Sequence, residues 1–263
     1  MNVSLNTLEL EARKDSVIHN LDARIKLIMT LILIFYSVYS SDLLILLLLE
    51  VYIVMLVLFS KISISYYVKR VIYILPFGGF IAIFQPFIRP GTILYSLPFG
   101  INISYEGTIF GILLLSRLIV CISMIVLFSS TTPMNSMINS MRRLGFPKIL
   151  SMILSMTVRY LFVFFEELDN IRNAQKSRCF NLWNRKISYI WRLKQIGYTI
   201  MGIFLSSFEK GEKIFFSMVS RGYSGESRSY FKQPPLTIIN FYIIALTIAI
   251  IIFIEISKYY KII

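Results

Sequence analysis

The sequence holds 263 residues, of which 56% are hydrophobic and 16% charged, with a net charge of +13. Water-soluble domains carry about 25% charge, so this balance excludes an ordinary soluble fold and predicts an all-α polytopic membrane protein. Its surplus of Lys and Arg then marks loops on the cytoplasmic side rather than a nucleic-acid surface.

The amino-terminal stretch MNVSLNTLELEARKDS is polar and contains Glu9 and Glu11. It lacks the basic-then-apolar order of a signal peptide, so the first apolar segment is expected to start insertion and to remain. About 20 apolar residues cross a hydrocarbon core of about 30 Å, and on that measure five spanning helices are expected near 24–40, 43–59, 71–88, 107–129 and 236–256. Ser40, Ser41 and Asp42 break the first two apart, with Asp42 suited to an N-cap. Pro76, Gly78, Gly79 and Pro86 predict a kink in the third, and Pro90, Gly91 and Pro98 a polar connection after it. Arg117 and Glu50 are ionisable groups within spans and are candidate partners of each other; Arg117 suits a snorkelling position equally well. His19 reads as an interfacial residue.

Charge orders the segments. Arg13, Lys14, Arg24 and Lys26 lie at the start, and Lys61, Lys69 and Arg70 in the second connection. Sixteen Lys and Arg lie in 130–235, whereas the other two connections hold only Arg89. Lys258 and Lys261 end the chain. The alternation predicts a multi-pass protein of the cell membrane with a cytoplasmic N-terminus and an external C-terminus. Three segments follow: spanning helices in 1–130, a cytoplasmic coupling region in 131–235 and a last span in 236–263.

Within 131–235, Thr132 and Pro133 are placed to start a helix that Gly145 and Pro147 stop. A helix over 148–165 carries Ser151, Ser155 and Arg159 on one stripe. Another over 198–220 sets Met201, Phe204, Phe208, Phe215 and Met218 on one face and Ser206, Lys210, Lys213, Ser217 and Ser220 on another. These amphipathic, basic helices are expected to lie on the cytoplasmic membrane surface, their apolar faces against lipid and the spanning helices; the alternative makes 148–165 and 196–208 two further spans. The first runs on into the polar EELDNIRNAQKSR, and both stretches close on Ser-Arg plus a small residue: Ser177, Arg178 and Cys179, then Ser220, Arg221 and Gly222. An arginine offers five donors in a rigid fork, and a small neighbour admits another backbone. By spacing alone, these read as solvated helix ends.

Catalytic patterns are missing. One histidine cannot build a histidine cluster, and Cys121 and Cys179 sit in unlike contexts, so neither a disulfide nor a metal site is expected. There is no Asp-x-x-Asp pair and no Gly-Lys dipeptide, which removes magnesium-dependent transfer and a phosphate-binding loop. The chain reads as a non-enzyme.

A wider pattern bears on the two Ser-Arg sites. AQKSRCF at 174–180 and SMVSRGY at 217–223 resemble the paired Ala-Arg-Gly motifs of the T component, the transmembrane scaffold of energy-coupling factor transporters. DSVIHNLDARIKL, LPF, SSTTP, MRRLGFP and RYLFVFFEEL follow the family in order. The N-terminal stretch and SFEKGEKIFFSMVSRGYSGE look closest to its CbiQ type, the cobalt/nickel branch. The resemblance implies a scaffold that holds two ATPase subunits and a substrate-binding membrane subunit within the lipid bilayer. ATP would bind the partner chains, and no cofactor this one. Arg178 and Arg221 would enter the ATPase grooves. Ser177 and Ser220 replace alanine, and Cys179 replaces a glycine, which any left-handed backbone there would strain. Two rivals stand beside this: a T component of the vitamin-uptake type, and a self-sufficient carrier or channel, for which an internal repeat is lacking.

Overall fold

The computed structural model describes residues 11, 12, 14, 16, 18–97, 101–180, 188–225 and 238–259. Glu9, Arg13, Pro98 and Lys261 lie outside the described residues. The fold is that of an all-α membrane protein with one added hairpin. In order come α1 (Ala23–Tyr39), α2 (Leu43–Phe59), α3 (Ile64–Ile88), β1 (Ile93–Leu97), β2 (Ile101–Ser104), α4 (Tyr105–Thr131), α5 (Met134–Arg143), α6 (Lys148–Ser177), α7 (Tyr189–Ser220) and α8 (Ile238–Tyr259). They form two compact units: Val3–Ser140 with Gln233–Ile263, and Met141–Lys232.

The first unit is built on the faces that its apolar helices share. In α2, Ile45, Leu46, Leu49, Ile53 and Val57 are buried while Leu44, Leu47, Val51, Met55 and Leu58 are exposed. A helix apolar on every side fits a hydrocarbon surround. Its buried stripe joins Leu33, Val120, Met124 and Leu127 in one core. α1 and α4 run antiparallel. Lys26 of α1 meets the last residue of α4, and Arg117 of α4 meets the end of α1. Tyr36 near the end of α1 donates to Glu255 near the end of α8 at 3.0 Å, so those two helices run the same way.

Two cations, Lys26 buried and Arg117 half-buried, complete helix ends in this unit. The Lys26 ammonium donates to the Thr131 carbonyl at 2.8 Å and the His19 carbonyl at 3.0 Å. The Arg117 guanidinium donates from Nε and Nη2 to the Ser40 carbonyl at 3.0 and 2.6 Å. Each cation sits at the partially negative end of an antiparallel neighbour. The expected Arg117–Glu50 pairing does not form: Glu50 instead accepts from Ser123 at 2.8 Å and Tyr67 at 3.3 Å. The unpaired backbone at the end of α1 is the stronger claim on the arginine.

Four further differences are local. α3 starts at Ile64, earlier than expected, and bends by 43° between Ile64–Pro76 and Gly78–Ile88, as its prolines predict. The connection after it contains the β1–β2 antiparallel hairpin. Thr132 does not cap α5; its hydroxyl is buried without a partner, and the Pro133 carbonyl takes the first helical bond from Met137. Asp42 holds the N-cap position of α2 without bonding the helix through its side chain, whereas Asp22 caps α1 by accepting from the Arg24 amide at 3.0 Å.

Among the described residues, α4 and α6 are long and apolar enough to cross a membrane, and the bent α3 makes a third; α2 and Asn240–Ile256 are shorter apolar helices. That α6 passes this test departs from the surface helix expected at 148–165. Its polar second half continues the helix because Glu166, Glu167, Gln175 and Lys176 are good helix formers with no Gly or Pro among them.

Candidate functional site: two arginine-tipped helix ends

The second unit rests on α6 and α7, which run antiparallel. Glu167 of α6 meets Ser206 and Lys210 of α7, the serine donating at 2.5 Å and the lysine forming an ion pair. Further along, Gln175 donates to the Thr199 hydroxyl at 2.7 Å, and the Phe180 and Trp191 rings meet edge-on at 5.4 Å. As the α6 number rises the α7 number falls, so the carboxyl ends of the two helices point opposite ways. Ser206 and Lys210, expected on the polar face of this helix, are turned onto α6 by Glu167. α7 begins at Tyr189, nine residues before its expected start, because YIWRLKQIG hides its period by mixing aromatic and basic residues.

The two helix ends are built alike. At α6, Arg178 is the C-cap with φ −88° and ψ 18°, and at α7 Arg221 is the C-cap with φ −91° and ψ 12°. The next residue turns left-handed in both, Cys179 at φ 58° and Gly222 at φ 80°. The Cys179 amide donates to the Lys176 carbonyl at 2.9 Å and the Phe180 amide to Gln175 at 3.0 Å. At the other end Gly222 donates to Val219 at 2.9 Å and Tyr223 to Met218 at 3.0 Å. This double closure is the Schellman motif. Ser177 and Ser220 return their hydroxyls to the carbonyls four residues back, at 3.0 and 2.8 Å. α5 ends the same way at Gly145, φ 102°, as Gly145 and Pro147 predict, but Leu144 stands at its cap instead of an arginine.

Each arginine is therefore fixed at its backbone and free at its head. Both are exposed, and among the described residues neither guanidinium has an ion-pair or hydrogen-bond partner. The preceding carbonyls carry partial negative charge, which favours a cation at the tip. The left-handed residue turns the chain away and leaves the fork open to a carboxylate or carbonyl supplied from outside. The order Ser-Arg-small-aromatic, repeated at both ends, is the signal for this shared geometry. Phe180 and Tyr223 belong to the motif as much as the arginines do.

The family model for the cobalt transport protein CbiQ matches residues 14–231, a span that includes both tips. The chain belongs to that family. The energy-coupling factor transporter transmembrane protein of Lactococcus lactis is 30% identical over 229 residues, covering 83% of this chain and 85% of the relative. Its counterpart in Streptococcus equi is 27% identical over 230 residues, with 83% and 84% covered. An uncharacterized protein of Methanocaldococcus jannaschii is 30% identical over 230 residues, with 86% and 77% covered. Membership agrees with the resemblance drawn from the motifs.

Proposed function

We propose that this chain is the non-catalytic transmembrane scaffold of an ATP-driven energy-coupling factor importer. It carries movements of two ATPase subunits to a separate substrate-binding membrane subunit in the cell membrane. The matched geometry of Arg178 and Arg221 carries this reading. Two helices of one unit end in the same capped arginine, pointing opposite ways, as two docks for two copies of one kind of partner require. Ser177, Cys179, Ser220 and Gly222 shape the ends so that each fork projects. The family's description as cobalt transport proteins favours cobalt, or the related nickel ion, as cargo held by the substrate subunit. The alternating helix directions and the basic stretch 130–235 support a cytoplasmic N-terminus and cytoplasmic tips.

A charge-assisted arginine contact buried in a groove costs about 2–5 kcal/mol when one side is removed. Purification of the tagged chain from its native membrane tests the reading. The wild type brings a nucleotide-binding chain with it; Arg221→Glu loses most of it, and Arg178→Glu with Arg221→Glu loses all of it at unchanged membrane abundance. Undiminished copurification and uptake by the double variant would refute the role.

A further inference from the structure

The contacts between α6 and α7 are unevenly distributed. Glu167 with Ser206 and Lys210 is the one charged node among the described contacts of the pair, and Lys210 also lies over the Phe164 ring at 5.3 Å. On one side of the node the helices are fastened by Gln175 with Thr199 and by Phe180 against Trp191. On the other side an apolar cleft of about 590 Å³ lies between Ile153, Met156 and Tyr160 of α6 and Ile214, Phe215 and Met218 of α7, and it reaches past the node as far as Leu168 and Ile203. Arg178 follows Glu167 by eleven residues and Arg221 follows Lys210 by eleven. At 1.5 Å per residue each arm is about 16 Å long. The Arg178 arm is held to its neighbour, while the Arg221 arm borders the cleft.

Gly211 adjoins the node on the cleft side and lines the cleft. A Cβ there would meet nothing within 4 Å, and its φ is not left-handed. Neither close packing nor a turn asks for glycine; its effect is to loosen the helix. Gly197 and Gly202 are equally open, but neither adjoins the node.

We infer that Glu167, Lys210 and Gly211 are positioning residues for the Arg221 tip: the ion pair is the fulcrum of the helix pair, and Gly211 is the joint at which the Arg221 arm swings across the cleft. The inference rests on the scaffold reading for its purpose, although the hinge itself is a property of this chain alone. Breaking the node frees the arm, and stiffening residue 211 holds it.

Spin labels test this on the full chain in lipid nanodiscs, in a Cys121→Ser, Cys179→Gly background. One pair, Ser155→Cys with Ser217→Cys, spans the cleft; a second, Asn173→Cys with Ile200→Cys, reports the fastened end. Glu167→Gln is expected to replace a single cleft distance by a broad distribution and leave the fastened end unchanged. Glu167→Lys with Lys210→Glu restores the single distance, and Gly211→Ala narrows it. In native membrane vesicles, ATP-driven uptake is lost with Glu167→Gln and regained with the charge exchange, while the amount of nucleotide-binding chain copurified stays unchanged in both, which a merely structural loss would not allow. Cleft distances that ignore both Glu167→Gln and Gly211→Ala would overturn the inference. Because the distances need no partner chain, a hinge that responds while Arg221→Glu leaves uptake intact separates a failed scaffold reading from a failed hinge.

Discussion

Cys179 holds φ at 58°, a left-handed backbone that its Cβ disfavours. Left-handed backbone costs an L-residue about 1–2 kcal/mol, and the equivalent position at the other tip is Gly222. Cys179→Gly is therefore expected to strengthen the end of α6 by about 1 kcal/mol. Slower hydrogen exchange at the Cys179 and Phe180 amide positions checks this. Gly222→Ala should weaken the end of α7 by a similar amount, even though a Cβ there meets nothing within 4 Å. The identity of residue 179 could be read from the sequence, and so could the strain it would suffer if the turn were left-handed. That the turn is left-handed at both tips needed the backbone.

His19 makes a second prediction at this scale. Its Nε2–H donates to the Glu11 carbonyl at 3.0 Å and its Nδ1 accepts from the Ser16 hydroxyl at 2.8 Å, which is the neutral ring. Burial, with Lys26 and Lys14 nearby, holds the imidazole below its usual range. Folding thus favours the unprotonated form. Its contribution is full above the unfolded value of about 6.5 and is lost as pH falls through it toward the lower folded value. Hydrogen exchange in residues 18–22, corrected for intrinsic rates, should quicken between about pH 7.5 and 5.5, and His19→Gln should abolish that dependence. An unchanged pH response in His19→Gln would assign the effect elsewhere.

At the scale of elements, α3 and α4 approach through Gly107 and Gly111, a small-xxx-small pair. A Cβ on Gly107 would lie 2.7 Å from the Gln85 carbonyl oxygen, and one on Gly111 2.8 Å from that of Ala82. Backbone cannot yield as a side-chain tip can. Gly111→Leu should separate the helices and remove the folded monomer from size-exclusion profiles, whereas Gly197→Ala, with open space around it, should be tolerated. The same contrast shows what was legible. Long apolar runs bounded by Ser, Asp or Pro place α1, α2 and α4 within two residues at either end. The β1–β2 hairpin stays hidden because two short strands among Pro and Gly read as a polar connection. The Glu167 node stays hidden because a carboxylate in EELDN looks solvated until an antiparallel partner brings Lys210 to it.

At the largest scale, the helix directions of the first unit are compatible with the cytoplasmic N-terminus that the charge pattern predicts. α1, α3 and α8 run one way and α2 and α4 the other, which returns the chain to the same side before 130–235. Single cysteines across 170–195 in sealed vesicles, made in a cysteine-free background, should label only from the inside. Labelling from the outside would make α6 and α7 spans and remove their access to a cytoplasmic engine. The family and the two tips were visible in the sequence as a repeated Ser-Arg pattern, whereas cargo, which the proposed function assigns to another chain, leaves no mark here. The most direct measurement is site-specific photocrosslinking from positions 180 and 223, the aromatic residues that close the two turns, in native membrane. Each is expected to capture a nucleotide-binding chain. Capture of lipid alone at both positions, in membranes that retain ATP-driven uptake, would contradict the account.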